Sequence, residues 1–230
     1  MAYSLKKTAS LRDLQKFNSN VYALTDDRLY SIWDLLVQQS RFAMRALKGI
    51  RKGDRDKTKL NLLISLSFLS AIANRLRIDI EDEVWARFPM RCSYCGRKPC
   101  VCREVKSVTR RKSAKINSKL RPVSLKAFQE MFNKIYPVQK RTITDAGIHL
   151  AEEIGEMSEA ISNYLGQHLE KQFDDIKFEM ADVVFCIFGV ANSANIDCAK
   201  ELSMMFVNNC HVCHKAPCIC SFSKVIKTKS

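Results

Sequence analysis

Two cysteine-rich strings, CSYCGRKPCVC from Cys92 to Cys102 and CHVCHKAPCIC from Cys210 to Cys220, share the pattern C-x2-C-x3-P-C-x-C at an offset of 118 residues. Carried back without a gap, the same offset pairs Phe88 with Phe206, Glu83 with Glu201, Ile78-Asp79 with Ile196-Asp197 and Ala73-Asn74 with Ala191-Asn192. A fixed period of this kind marks a tandem duplication, and it limits the fold to what two copies of one short segment can build. The copies fall at about 28–103 and 124–221. An N-terminal arm (1–27) precedes them, a basic linker (104–123) joins them and a basic tail (222–230) follows.

The chain has only 7 Gly and 5 Pro in 230 residues, and alternating strand patterns are scarce. Helices are therefore expected. LYSIWDLLVQQSRFAMRAL and KLNLLISLSFLSAIANRL in the first copy place apolar residues three and four apart, as does ITDAGIHLAEEIGEMSEAISNYL in the second, with Asp145 as its expected N-cap. FDDIKFEMADVVFCIFGVANSANI reads as a largely buried helix, and DCAKELSMMF as a short one leading into the cysteines. The fold class is all-α: two tandem helical bundles, each ending in a small four-cysteine knuckle.

Eight of the ten cysteines lie in the two strings, and no signal-peptide core precedes them, so disulfides of a secreted protein are not expected. Four thiolates at C-x2-C and C-x-C spacing, joined by a short loop, suit a closed tetrahedral Zn2+ site. Redox chemistry or another soft metal is the alternative. Two structural zinc ions per chain are expected, one on Cys92, Cys95, Cys100 and Cys102, the other on Cys210, Cys213, Cys218 and Cys220. His211 and His214 are not needed as ligands. Cys186 and Cys198, alone on apolar helices, read as core.

Formal net charge is +14, yet HLAEEIGEMSEAI concentrates four glutamates in thirteen residues. Glu152 and Glu156 are four apart and Glu153 and Glu156 three apart, so they share a helical face and repel. Glu179 and Asp182 repeat the three-residue spacing, with Asp182 against the apolar VVFCIF. A carboxylate there is costly unless compensated, and between the two acidic motifs only Lys171 and Lys177 supply basic charge. A divalent cation would compensate the set. Mg2+ takes carboxylate oxygens and is commonly shared with substrate phosphates. The bland reading is a solvated acidic face.

The string Glu152-Glu153-Ile154-Gly155-Glu156, followed after 22 residues by Glu179-Met180-Ala181-Asp182, resembles the E-E-x-x-E and E-x-x-D signature of the MazG-like all-α nucleoside triphosphate pyrophosphohydrolases, a superfamily that includes the dimeric dUTPases. The resemblance covers about 145–200. It implies Mg2+-dependent cleavage of a (deoxy)nucleoside triphosphate to the monophosphate and pyrophosphate. It also implies that Glu153, Glu156, Glu179 and Asp182 ligate the metal, and that Glu152 is a further ligand or orients the attacking water. At the 118 offset these acids face Leu35, Gln38, Asn61, Ile64 and Asp34 respectively, so the first copy reads as degenerate. Family members assemble as dimers of such bundles, so the duplication resembles a pseudo-dimer with one live site. His149, Asn192, Lys140 and Arg141 are weaker candidates for substrate contact: His149 reads more readily as a packed histidine, and Asn192 shares its type with Asn74. Trp33, which could reach the base, reads more readily as core.

Arg103 to Arg121 holds eight Lys/Arg against one acid, Glu104. It reads as a solvated linker or as a contact for phosphate. A different class of function follows from it: a zinc-knuckle nucleic-acid-binding protein on a vestigial enzyme fold. The longest nearly continuous apolar run, Val183 to Ala191, is far short of the ~20 residues of a membrane span. A cytoplasmic protein with a nucleotide substrate and no membrane partner is expected. Association into a homo-oligomer stays open.

Overall fold

The computed structural model describes residues 2–102, 104 and 117–221. The basic residues Arg110, Arg111 and Lys112 of the linker and the tail from 222 lie outside the described residues. Eight α-helices and no strand form among those described: α1 (Leu11–Leu29), α2 (Ile32–Arg51), α3 (Arg55–Leu76), α4 (Ile80–Arg87), α5 (Leu125–Ile135), α6 (Ile143–Gln167), α7 (Glu170–Ser193) and α8 (Cys198–Met205). The all-helical expectation agrees with this.

The segment expected as an arm, 1–27, instead contributes α1. Leu11, Leu14, Phe17 and Val21 are buried on one face of it, an apolar stripe at three- and four-residue spacing. The stripe is diluted by the buried Gln15 and Asn18, which weakens its signal in the sequence. Helix starts are built by local chemistry. Ser10, Ser31 and Thr142 cap α1, α2 and α6 through reciprocal bonds with Asp13, Asp34 and Asp145. Asp145 is thus the third residue of α6, returning a bond to its cap, and the cap itself is Thr142.

The chain divides into two compact units, Met1–Ile80 with Ile196–Ser230, and Glu81–Asn195. They do not follow the stretches 28–103 and 124–221. Each unit holds a long hairpin (α2/α3 or α6/α7) and the helix before it, but takes its short helix and cysteine loop from the other stretch. In the first unit, Cys218 N donates to Val21 O of α1 at 2.7 Å. In the second, Cys100 N donates to Ile135 O of α5, also at 2.7 Å.

A second contact recurs. Gln15 on α1 and Asn74 on α3 exchange bonds of 3.1 and 3.0 Å, while Gln129 on α5 and Asn192 on α7 exchange bonds of 2.9 and 3.2 Å. Each pair satisfies amides that burial would otherwise leave costly. Asn192 is thereby committed to the fold, as its shared residue type with Asn74 suggested.

The second unit's core gathers Phe88, Phe132, Phe185 and Tyr136, with Phe88 and Phe132 edge to face at 5.3 Å and Tyr136 and Phe185 at 4.3 Å. Trp85 is buried, but Trp33 is 46 % exposed, against its expected core place. Trp33 stands in the first turn of α2, where Leu35 and Leu36 take the inward positions. Cys186 and Cys198 are core, as expected. No helix among the described residues is long and apolar enough to cross a membrane.

Candidate metal and nucleotide site

The site lies on one face of the α6/α7 hairpin. Glu153, Glu156 and Glu179 each offer a carboxylate oxygen, and these oxygens lie within 4.8 Å of one another. Glu153 sits at the edge of the core, 9 % exposed. One of its oxygens accepts from His149 Nε2 at 2.8 Å; Oε2 is buried with no hydrogen-bond partner. An orphaned, buried carboxylate oxygen on a residue that converges with two further carboxylates is costly by itself. A hard divalent cation resolves that cost, so the residues present fit Mg2+. Glu152 is exposed one residue away.

His149 lies edge-on to Phe185, with ring centroids 5.6 Å apart. Its bond to Glu153 raises its pKa, against the opposing effect of burial. Cys186 joins His149 and Glu153 in a second cluster, but burial pushes that thiol far up, which keeps it a neutral and poor ligand.

Asp182 stands apart from the three glutamates. Its two oxygens are taken by Arg87 of α4, Nε to Oδ1 at 3.0 Å and Nη2 to Oδ2 at 2.5 Å. The two side chains are 8 % and 6 % exposed, and the Arg87 guanidinium also lies 5.2 Å from the Phe178 ring. Removing one member of a buried pair of this kind costs about 3–5 kcal/mol. Sequence reasoning missed Arg87. A signal existed: at the 118 offset, Arg87 faces Met205 as Asp182 faces Ile64, so both charges are specific to one unit.

Arg141, just ahead of α6, lays its guanidinium along α7. A Cβ built on Gly189 would meet Arg141 Nη2 at 2.5 Å, so any larger residue there would push the guanidinium aside. The guanidinium is also 5.8 Å from the Phe185 ring. This places a base beside His149 and Glu153. Lys140 is exposed and pairs with Glu104 at 3.2 Å.

Each cysteine set brings four sulfurs together within 4.8 Å. The Sγ distances, 3.6 and 3.9 Å in the first set and 3.5 to 3.9 Å in the second, suit the ~3.8 Å edge of a tetrahedron with Zn–S bonds of about 2.3 Å. Backbone amides of Tyr94, Cys102, Val212 and Cys220 donate to the sulfurs of Cys92, Cys100, Cys210 and Cys218, each at 3.4 Å. Such bonds favour thiolate, but burial pushes Cys100 and Cys102 up on balance, and the hydrogen bond shared with Cys210 pushes Cys218 up. The hydrogen bond from Cys218, against the cost of burial, pulls Cys210 down to about 4. All ten cysteines are free thiols.

A MazG nucleotide pyrophosphohydrolase domain is found at residues 141–213, about a third of the chain. The matched stretch runs from Arg141 through α6, α7 and α8 to Cys213, and so contains every carboxylate of the site. No curated protein and no solved structure matches the chain. The match supports a nucleotide substrate and a hydrolase role.

Proposed function

We propose that the α6/α7 hairpin is the active site of a Mg2+-dependent pyrophosphohydrolase that converts a (deoxy)nucleoside triphosphate to its monophosphate and pyrophosphate. The observation that carries this reading is the convergence of Glu153, Glu156 and Glu179 within 4.8 Å inside the matched stretch. These three acids would hold the ion, with Asp182 completing the acidic set from the next turn of α7. When bound, the ion supplies charge neutralisation for the phosphate oxygens and a more acidic water.

The protein's own residues do the rest. The exposed Glu152, next to the trio, is placed to accept a proton from the attacking water. His149 holds one oxygen of Glu153, which restrains the carboxylate and leaves its second oxygen for the ion. Arg141, fixed over Gly189, offers a positive charge to the phosphate chain.

Duplication with exchanged ends and two structural zinc ions complete the proposal. The matching anchors at Val21 and Ile135, the repeated Gln–Asn exchange and the sulfur geometry support them. The α2/α3 hairpin carries Leu35, Gln38, Asn61 and Ile64 in place of the acids and is read as inactive.

The test is a pyrophosphate-release screen over ribo-, deoxyribo- and modified triphosphates with Mg2+, with phosphorus NMR of the products. Monophosphate and pyrophosphate in equal amounts are expected from at least one substrate. Release of orthophosphate alone, or no turnover across the screen, would overturn the reading.

A further inference from the structure

We propose that Arg87 is a positioning residue of the acid site that acts through Asp182, so that the degenerate first copy supplies a working part to the hairpin of the second. The inference rests on the reading of that hairpin as a Mg2+-dependent pyrophosphohydrolase and names a component that reading lacks.

Three observations carry it. First, the geometry is that of an orienting contact. The fork of Arg87 takes both oxygens of Asp182 and fixes the plane of the carboxylate. Second, Asp182 lies three residues beyond Glu179, on the same face of α7 as one member of the glutamate trio. Fixing Asp182 therefore fixes a carboxylate on the helix face that carries Glu179.

Third, the two copies differ as an exchanged arrangement requires. The short helix in the unit with the acids carries Arg87, and the one in the unit without them carries Met205. Where Asp182 became Ile64, the arginine is absent too. A buried ion pair is no more stabilising than an apolar pair of similar size. The Met205 and Ile64 positions show that such a unit needs no charge there. Fold stability alone thus gives no reason to keep Arg87 and Asp182; orientation of a carboxylate in the site does. Lys59 pairs with Glu201 of α8 at 3.2 Å in the first unit. Its counterpart Lys177, raised first by its hydrogen bond to Asp174, is raised further by Glu83 of α4. A lysine of each hairpin thus lies in the field of a glutamate of the exchanged helix, while the arginine is kept in one unit.

The experiment is a double-mutant cycle on the full chain with Arg87→Met, Asp182→Asn and the pair together, and Arg87→Lys as the milder variant. Turnover of the triphosphate that the wild type hydrolyses fastest is measured beside Mn2+ binding by calorimetry without nucleotide. Arg87→Met should lower kcat on the order of 10- to 100-fold with KM within about twofold, and weaken Mn2+ about tenfold. Arg87→Lys, which keeps the charge but not the fork, should fold normally and fall between. The double variant should be no worse than Asp182→Asn, because one residue acts through the other.

A lowered melting temperature with kcat and Mn2+ affinity within twofold of wild type would make Arg87 a strut and overturn the proposal. Losses that multiply in the double variant would overturn it as well, by making Arg87 act independently of Asp182. If Arg87→Met does not fold, Arg87→Lys decides: wild-type Mn2+ affinity and kcat would overturn the proposal. A wild type that neither binds Mn2+ nor releases pyrophosphate would overturn the site reading itself, and this proposal with it.

Discussion

The α6/α7 hairpin brings Glu153, Glu156 and Glu179 together beside Asp182; the α2/α3 hairpin has Leu35, Gln38, Asn61 and Ile64 at the corresponding positions. Around them the frame is the same. Both units tie the preceding helix to the hairpin with a Gln–Asn exchange, and both anchor a cysteine loop on that helix through a 2.7 Å backbone bond. The interiors differ. Aligned on those anchors, Asn18 stands for Phe132 and Ser67 for Phe185. Phe132 and Phe185 pack at 5.5 Å, whereas Asn18 donates to Ser67 at 2.8 Å. Beside that polar pair a cavity of about 70 Å³ lies against Tyr22, Asp26, Phe42 and Phe206. Frame and chemistry are therefore separable: the buried amides and cysteine loops hold a bundle together, and the charged groups are added to one unit alone.

The sharpest break of this comparison removes the charge. Glu153→Gln, Glu156→Gln and Glu179→Gln should each lower pyrophosphate release on the order of 10²-fold or more, since each removes a proposed metal ligand. Gln38→Ala in the other hairpin should leave kcat within about twofold. Wild-type turnover in the Glu156 and Glu179 variants would make the acids a solvated face. Strong loss at Gln38 as well would mean that the two hairpins do not differ in function.

The next test sets the cysteine loops against each other. Cys100→Ser disturbs the loop anchored on Ile135, in the unit with the acids, although it comes from the first stretch of the chain. It should lower turnover roughly tenfold and release one of two zinc ions. Cys218→Ser, next to the second copy's acids in sequence but anchored on Val21, should release the other ion and leave turnover per folded molecule within about twofold. Zinc content by elemental analysis checks the first half of each statement. The reverse ranking of activities would sink the exchange of ends.

A smaller effect is expected where one glycine admits a base. Gly189→Ala imports the residue that the other hairpin has at this position, Ala71, and its Cβ would displace Arg141. KM for the triphosphate should rise about fivefold while the melting temperature falls only a few degrees, as for modest overpacking. An unchanged KM would remove Arg141 from substrate binding.

The smallest effect is one of pH and belongs to the first unit. Burial pushes Asp26 up to about 7, against the opposing pull of Arg75. The folded state then binds the proton more tightly than the unfolded chain, whose aspartate titrates near 3.9. The stabilisation is fully present below about pH 4 and is lost as pH rises towards 7. From pH 5 to pH 8 the wild type should therefore lose melting temperature relative to Asp26→Asn, at about 2–4 °C per kcal/mol. Parallel melting curves for the two proteins would show that Asp26 titrates normally.

Much of the fold was legible because its signals are local or periodic. Three- and four-residue apolar spacing marks α2, α3 and α6, whose starts are capped by Ser31, Asp54 and Thr142, and a long apolar run marks α7. The glutamates were legible because a helix places residues three and four apart on one face. The cysteine sets were legible because a closed metal site needs four sulfurs within one short loop. Helix α1 was obscured by its buried Gln15 and Asn18, polar residues whose partners, Asn74, Ile78 and Ser67, lie 49 to 63 residues away. Trp33 misled because an aromatic in an apolar helix is usually packed, while a first turn buries only one side.

The sequence by itself determined helical segments, a cluster of acids on one of them and two four-cysteine strings that share one pattern 118 residues apart. Only the tertiary structure decided which short helix and cysteine loop serves which hairpin. Spacing along the chain cannot carry that choice, because each short helix follows directly on the hairpin of its own stretch, through 77–79 or 194–197, yet belongs to the other unit. The choice is made by long-range contacts: the backbone bonds at Val21 and Ile135, the aromatic packing of Phe88 on Phe132 and Phe185, and the meeting of Arg87 with Asp182, 95 positions apart.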